Sequence, residues 1–167
     1  PKPMADIAGR PFLDLMIAHL AAAGFARFLL CAGYKAEVIS EHFQSHRAPY
    51  QVECVRELAL LGTAGALWNV RDRVRSDPFL VLNGDSFCGV DYQNLLRFHV
   101  RCGGTATVAV TSVANECEYG QVQADSDGRV LAFREKIARQ GAGGVNAGVY
   151  VMSRAVLDAC GARTPFS

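Results

Sequence analysis

The segment from Phe79 to Asp85 constrains the fold of this chain most. Four apolar residues, Phe79 to Leu82, are followed by Asn83, Gly84 and Asp85. An apolar run without alternation is typical of a strand covered on both faces, as in the parallel sheet of an α/β protein. Ligands of open α/β sheets bind beyond the carboxyl ends of the strands, which makes Asp85 a candidate binding residue. The alternative is that Asn83 to Asp85 is only a turn.

Strand and helix patterns alternate along the first half of the chain, which predicts a mostly parallel, doubly wound sheet. We predict helices at 11–23, 36–46, from 62 onward, 91–102 and 155–160, and strands at 25–32, 50–55, 79–82, 105–113 and 145–152, with a hairpin formed by 120–124 and 130–133. The length of 167 residues fits a single domain, 1–167.

Composition excludes several classes of function. Half of the residues are hydrophobic, a fifth are charged, and the net charge is +1. Neither a basic stripe for nucleic acid nor an apolar run that could span a membrane is present, so we expect a cytoplasmic protein without either partner. Six cysteines are scattered without metal-ligand spacing, and we expect them to be reduced and mostly buried. The histidines, His19, His42, His46 and His99, are predicted to pack or to lie on the surface.

A glycine-rich segment, Leu61-Gly62-Thr63-Ala64-Gly65, stands at the entry to a predicted helix. Glycines there allow a base or phosphate to approach the backbone, and the free N–H groups of a helix start can bind it. The alternative is an ordinary helix start capped by Thr63.

Three other segments each have two interpretations. Lys2 lies between two prolines, in a segment predicted not to be helical, and is either a solvated lysine or a phosphate ligand. Glu135 and Lys136 are either solubilising charges on an edge strand or ligands for sugar hydroxyls and a sugar phosphate. The small residues after Asn146, in Asn146-Ala147-Gly148, indicate close ligand approach or tight strand packing.

Seven motifs in order resemble those of the sugar-1-phosphate nucleotidylyltransferases. They are PKPM, GRPFL, LGTAGAL, LNGD, EYGQV, FREK and NAGVY. The opening, the LGTAGAL form and the closing TPFS look most like the D-glycero-D-manno-heptose-1-phosphate guanylyltransferases, with mannose-1-phosphate guanylyltransferases close behind. The resemblance implies a Rossmann-like, three-layer α/β/α nucleotidyltransferase fold of the GT-A-like type, with a mostly parallel mixed sheet.

The resemblance also implies the reaction and its residues. A sugar 1-phosphate attacks the α-phosphate of a nucleoside triphosphate, GTP being favoured, with Mg²⁺ as cofactor, for lipopolysaccharide or capsule synthesis. Asp85 matches the metal ligand, and Lys2, Asp85 and Lys136 match catalytic positions. Nucleotide-binding positions are matched by Lys2, Leu61, Gly62, Thr63, Gly65, Asn83 and Gly84, and sugar-phosphate positions by Tyr119, Gly120, Glu135, Lys136, Asn146 and Ala147.

Three departures from the family pattern stand out. The family's glycine-rich phosphate loop and its second metal-binding aspartate are not in this sequence, and Ile137 stands where the family usually has proline. We therefore expect the chain to be part of a longer protein, and a homo-oligomer is possible. Two alternatives stay open: a catalytically silent nucleotide- or sugar-binding module of the same fold, and a nucleotide-sugar glycosyltransferase, although Asp85-Ser86-Phe87 lacks the second acid of a DxD pair.

Overall fold

The computed structural model describes residues 1–45, 48–59, 61–112, 120–134 and 144–159. It divides into two compact units. The first unit consists of Pro1–Phe79 together with the chain from Met152, and the second consists of Leu80–Val151.

The helices and strands follow the predicted alternation closely. Helices in the described ranges are α1 (Phe12–Ala22), α2 (Ala36–Ser45), α3 (Gly62–Val70), α4 (Tyr92–Cys102) and α5 (Ala155–Ala159). Strands in the same ranges are β1 (Asp6–Ile7), β2 (Arg10–Pro11), β3 (Arg27–Ala32), β4 (Gln51–Arg56), β5 (Phe79–Leu82), β6 (Ala106–Thr111), β7 (Gln121–Ala124), β8 (Val130–Arg134) and β9 (Gly144–Met152).

A parallel strand pair organises the first unit. Strands β3 and β4 pair in register from Arg27 opposite Gln51 to Ala32 opposite Arg56, and α2 forms the crossover between them, as parallel pairing requires. Because the two strands are parallel, their carboxyl ends lie at the same edge. The strand–helix–strand prediction for this segment is confirmed.

A hairpin that the sequence analysis did not predict precedes α1. Strands β1 and β2 pair antiparallel around Ala8 and Gly9, both of which have positive φ. Two consecutive residues with positive φ give the turn that matches the twist of a two-residue hairpin. Ala8 offers no sequence signal for such a turn, which explains why the hairpin was missed.

A buried carboxylate joins α1 to its neighbours in the first unit. Asp14, 9% exposed, accepts a hydrogen bond from Arg10 at 3.3 Å and lies 3.2 Å from His42 Nε2. This contact links β2, α1 and α2. These contacts compensate the desolvation of the buried Asp14 carboxylate, which would otherwise cost roughly several kcal/mol.

The second unit contains a five-stranded sheet. The strands follow the order β5-β9-β7-β8, and β6 also pairs with β9. Strands β7 and β8 form the predicted antiparallel hairpin. Val122, Val145 and Val151 are almost fully buried in this unit, and His99 of α4 is buried with its Nδ1 2.9 Å from Thr107 Oγ1. His99 therefore has the packing role expected for it.

The four cysteines within the described ranges are less buried than predicted. Cys31, Cys54, Cys88 and Cys102 are free thiols; Cys31 and Cys102 are exposed and the other two are half-buried. Cys102 is the last residue of α4, and Cys31 lies on the face of β3 opposite to the buried Ala32. Cys117, Cys160 and His46 lie outside the described residues. Within the described ranges, no helix is long and apolar enough to cross a membrane.

Candidate functional site

The candidate residues fall into both units. Lys2, Leu61, Gly62, Thr63 and Gly65 belong to the first unit. Asn83, Gly84, Asp85, Gly120, Asn146 and Ala147 belong to the second. Tyr119, Glu135 and Lys136 lie outside the described residues, so their roles stay predictions.

Lys2 lies in one turn of 3-10 helix, Lys2–Met4, and its side chain is exposed. The prediction that this segment is not helical was wrong. Pro3 occupies the first turn, where its missing N–H would have had no partner, so a single turn tolerates it. The turn is anchored because Ala5 N donates to Lys2 O at 3.0 Å and Phe12 N donates to Ala5 O at 2.9 Å. The backbone that carries Lys2 is thus fixed to the start of α1.

The glycine-rich segment forms the start of α3. Leu61 occupies the N-cap position and makes no side-chain capping hydrogen bond, while Thr63 lies inside the helix and is exposed. The alternative in which Thr63 caps the helix is therefore wrong. Gly62 has a φ of +66°, in the left-handed region that favours glycine. A Cβ at Gly65 would lie 2.8 Å from Leu61 Cβ, so this glycine allows Leu61 to pack against the first helical turn.

Glu57 is a candidate that the sequence analysis missed. It directly follows β4, its backbone N donates to Ala32 O at 2.8 Å, and its carboxylate accepts a hydrogen bond from the Leu61 backbone. Burial raises the pKa of this carboxyl, and the hydrogen bond from Leu61 opposes the shift. The signal that could have found it is the same one that identified Asp85: an acid immediately after a strand.

Cys31 lies at the same edge of the parallel pair. Its sulfur is 3.9 Å from the Ala66 carbonyl oxygen of α3. The residue as a whole is exposed, but burial of its thiol, then the charge of Glu57 and then Cys54, raise the pKa of the thiol from 9.0 to about 11. The carboxyl ends of β3 and β4 therefore combine a hydrogen-bond acceptor, a protonated thiol and the start of α3.

Asp85 lies three residues beyond the end of β5, close to the carboxyl end of the strand as predicted. Asn83, Gly84 and Asp85 are exposed, and Ser86 Oγ donates to Asp85 Oδ1 at 3.4 Å. In the described part of the chain, no group of three or more His, Cys, Asp or Glu side chains could hold a metal ion. One exposed carboxylate fits the mode in which Mg²⁺ is held by one or two carboxylates together with substrate phosphates.

The structure brings Asn83, Gly120 and Asn146 together around β9. Asn146 N donates to Gly120 O at 2.8 Å, and Asn83 N donates to Gly148 O at 3.0 Å. Gly148 has a φ of +70°, and a Cβ there would lie 2.6 Å from Asn83 Nδ2. Gly148 therefore packs tightly against Asn83. This observation favours tight strand packing as the reason for that glycine.

Gly120 also has a packing partner. A Cβ at this position would lie 3.4 Å from two carbons of the Phe133 ring, which is 48% exposed. Gly120 thus leaves room for the ring of Phe133 on one face of the hairpin. Ala147 follows Asn146 on β9 and is half-buried.

The fold is shared with a solved structure. The chain is similar to HddC from Yersinia pseudotuberculosis, with a TM-score of 0.83 and 32% sequence identity, covering 95% of this chain and 70% of HddC. HddC has also been crystallised in complex with GMP-PN. This likeness confirms the predicted Rossmann-like α/β nucleotidyltransferase fold.

Two curated relatives are similar to the chain in sequence. The chain is 38% identical over 159 residues to mannose-1-phosphate guanylyltransferase of Mycobacterium tuberculosis, covering 95% of this chain and 44% of the relative. It is 34% identical over 164 residues to mannose-1-phosphate guanylyltransferase 1 of Arabidopsis thaliana, covering 95% of this chain and 45% of the relative. The chain therefore spans less than half the length of these relatives. Since the family model described as "Nucleotidyl transferase" matches residues 1–164, the chain belongs to the nucleotidyl transferase family.

Proposed function

We propose that the protein transfers GMP from GTP to a sugar 1-phosphate, forming a nucleotide sugar and releasing pyrophosphate. The single observation that carries this proposal is the family match over residues 1–164, supported by relatives that are guanylyltransferases. The favoured acceptors are mannose 1-phosphate and heptose 1-phosphate.

The reaction exchanges one phosphoanhydride bond for another. A phosphate oxygen of the sugar 1-phosphate bonds to the α-phosphorus of GTP, and the bond between that phosphorus and the oxygen bridging to the β-phosphate breaks. Both electrons of the broken bond leave with pyrophosphate. Such a transfer depends mainly on in-line positioning and on neutralising the charge of the phosphates.

The start of α3 is proposed to bind the nucleotide. Gly62 gives the backbone a conformation that other residues adopt only with strain, and Gly65 keeps Leu61 packed close to the helix. The N–H groups of a helix start carry a partial positive charge that suits an anionic or electron-rich ligand. The complex of HddC with GMP-PN supports a guanine nucleotide as the ligand. Lys2 is proposed to pair with the triphosphate.

Asp85 is proposed to hold Mg²⁺ through its exposed carboxylate. When bound, the ion would neutralise charge on the phosphate oxygens of the nucleotide. Asn83 and Gly84 place the carboxylate directly beyond β5, and the hydrogen bond from Asn83 N to Gly148 O fixes the start of this segment.

The sugar 1-phosphate is proposed to bind at Gly120, Asn146 and Ala147, with Tyr119, Glu135 and Lys136 as further predicted ligands. The support is the backbone hydrogen bond between Asn146 and Gly120, two residues that belong to different motifs and lie 26 positions apart in the sequence. We also propose, from the family resemblance, a cytoplasmic enzyme that serves lipopolysaccharide or capsule synthesis and forms a homo-oligomer.

Pyrophosphate release by the full-length protein tests the proposal. We expect release with Mg²⁺ and GTP in the presence of mannose 1-phosphate or heptose 1-phosphate, and much less with other nucleoside triphosphates. Asp85→Asn should lower kcat by about 100-fold or more, because it removes the carboxylate charge that is proposed to hold Mg²⁺ against the phosphates. Asp127→Asn, an exposed aspartate in the turn between β7 and β8, serves as the matched control and should retain full activity. Equal activity of both variants would remove Asp85 from the mechanism.

A further inference from the structure

The side-chain amide of Asn146 is held at both of its polar atoms. Oδ1 accepts a hydrogen bond from Gly148 N at 3.0 Å, and Nδ2 donates to the hydroxyl of Tyr150 at 2.5 Å. The backbone N of Asn146 is also bonded, to Gly120 O at 2.8 Å. The amide therefore has one defined orientation.

Contact between Asn146 and Tyr150 depends on an irregularity in β9. In a regular strand, residues four apart are separated by about 13 Å along the chain. Gly148, midway between them, has a φ of +70° and donates its N–H to Asn146 Oδ1. This local departure from extended geometry coincides with the place where the phenol oxygen meets the amide. The spacing N-A-G-V-Y thus supplies an amide, a residue that accepts positive φ, and a phenol in the required order.

The orientation of the amide determines what it can offer a ligand. An asparagine amide has two N–H donors and two acceptor lone pairs. One of each is used within the protein, so one donor and one acceptor are left in fixed directions. A sugar hydroxyl both donates and accepts, and it suits such a pair. Without Tyr150, the Nδ2 group would lose its partner, and the amide would be held only through the hydrogen bond from Gly148 N to Oδ1.

We propose that Tyr150 is a positioning residue for the sugar 1-phosphate: its hydroxyl fixes the Asn146 amide in the orientation that binds a sugar hydroxyl. This inference rests on the proposed function, because it assumes that Asn146 contacts the sugar. It adds a residue that acts through Asn146, and it assigns the specificity of this contact to the phenol oxygen.

Tyr150→Phe in the full-length protein tests the inference, since it removes one oxygen and keeps the ring. A hydrogen bond between neutral groups is worth roughly 0.5–1.5 kcal/mol, which corresponds to a change in affinity of about 2- to 13-fold. We expect KM for the sugar 1-phosphate to rise within that range while KM for GTP and kcat stay unchanged. In an Asn146→Ala background, the same substitution should add no further increase.

Tyr92→Phe is the matched control. Tyr92 lies in the same unit, is buried, and donates its hydroxyl to Cys88 O at 3.2 Å. This variant also loses a phenol hydrogen bond and should leave both KM values unchanged. An unchanged KM for the sugar 1-phosphate in Tyr150→Phe, or an equal rise in KM for GTP, would overturn the inference.

An NMR measurement separates this inference from the proposed function. The side-chain NH₂ resonances of Asn146 should shift in Tyr150→Phe and stay in place in Tyr92→Phe, whether or not any sugar 1-phosphate is a substrate. If the wild-type protein turns over none of the sugar 1-phosphates, the proposed function fails. If the Asn146 resonances do not move in Tyr150→Phe, the positioning role fails.

Discussion

Replacing Gly148 by alanine tests how tightly this residue packs against Asn83 in the second unit. The new Cβ would lie 2.6 Å from Asn83 Nδ2, 3.0 Å from its Cγ and 3.3 Å from its Cβ, so the Asn83 side chain must move. Overpacking of this kind typically costs about 1–3 kcal/mol. The left-handed backbone, with a φ of +70°, adds about 1–2 kcal/mol for a residue with a Cβ. The loss of freedom in the unfolded chain offsets about 0.4–1 kcal/mol of this sum.

Gly128→Ala isolates the collision from the backbone cost. Gly128 has a φ of +79° and nothing within 4 Å of a Cβ at that position, so this variant carries only the backbone and unfolded-state effects. Urea unfolding of both variants should place Gly148→Ala below Gly128→Ala by about 1–3 kcal/mol. For a chain of this size, each kcal/mol corresponds to about 2–4 °C in Tm. Equal free energies of unfolding for the two variants would refute the packing of Gly148 against Asn83.

Two further predictions concern the first unit. Asp14→Ala should lower the free energy of unfolding by about 1–3 kcal/mol, because Arg10 and His42 both lose their buried partner; a change below about 0.5 kcal/mol in urea unfolding would contradict that. With a pKa of about 11 in place of 9.0, the Cys31 thiol should hold about a hundredfold less thiolate at pH 8 than an ordinary cysteine and react slowly with iodoacetamide. Glu57→Gln should speed that reaction by removing a negative charge, and mass spectrometry of the alkylated peptide would show no such gain if Glu57 does not act on Cys31.

The order of elements could be read from the sequence because local signals agreed with tertiary demands. The apolar run before Asn83 and the turn residues between β7 and β8 each fix one element without reference to the rest of the chain. The β1–β2 hairpin could not be predicted. Ala8 adopts positive φ there only because the pairing of the two strands requires it.

Candidate site residues could be predicted from the sequence where a local signal marks them. Asp85 was predicted as a candidate because an acid after an apolar strand is visible in the sequence, and the same signal at Glu57 was overlooked. Two other features depend on how β9 bends: the lack of room for a Cβ at Gly148, and the contact between Asn146 and Tyr150. Gly148 marks where that bend occurs, but the sequence does not show which side chains the bend brings together. The role of Gly65 likewise depends on its distance from the Leu61 side chain.

Following the phosphorus atoms of GTP tests the central claim most directly. The full-length protein would be incubated with Mg²⁺, a sugar 1-phosphate and GTP labelled with radioactive phosphorus at either the α- or the γ-position. Nucleotidyl transfer predicts that the α-label appears in the nucleotide sugar and the γ-label in pyrophosphate. A γ-label on the sugar, or an α-label that stays in GDP, would contradict the assignment.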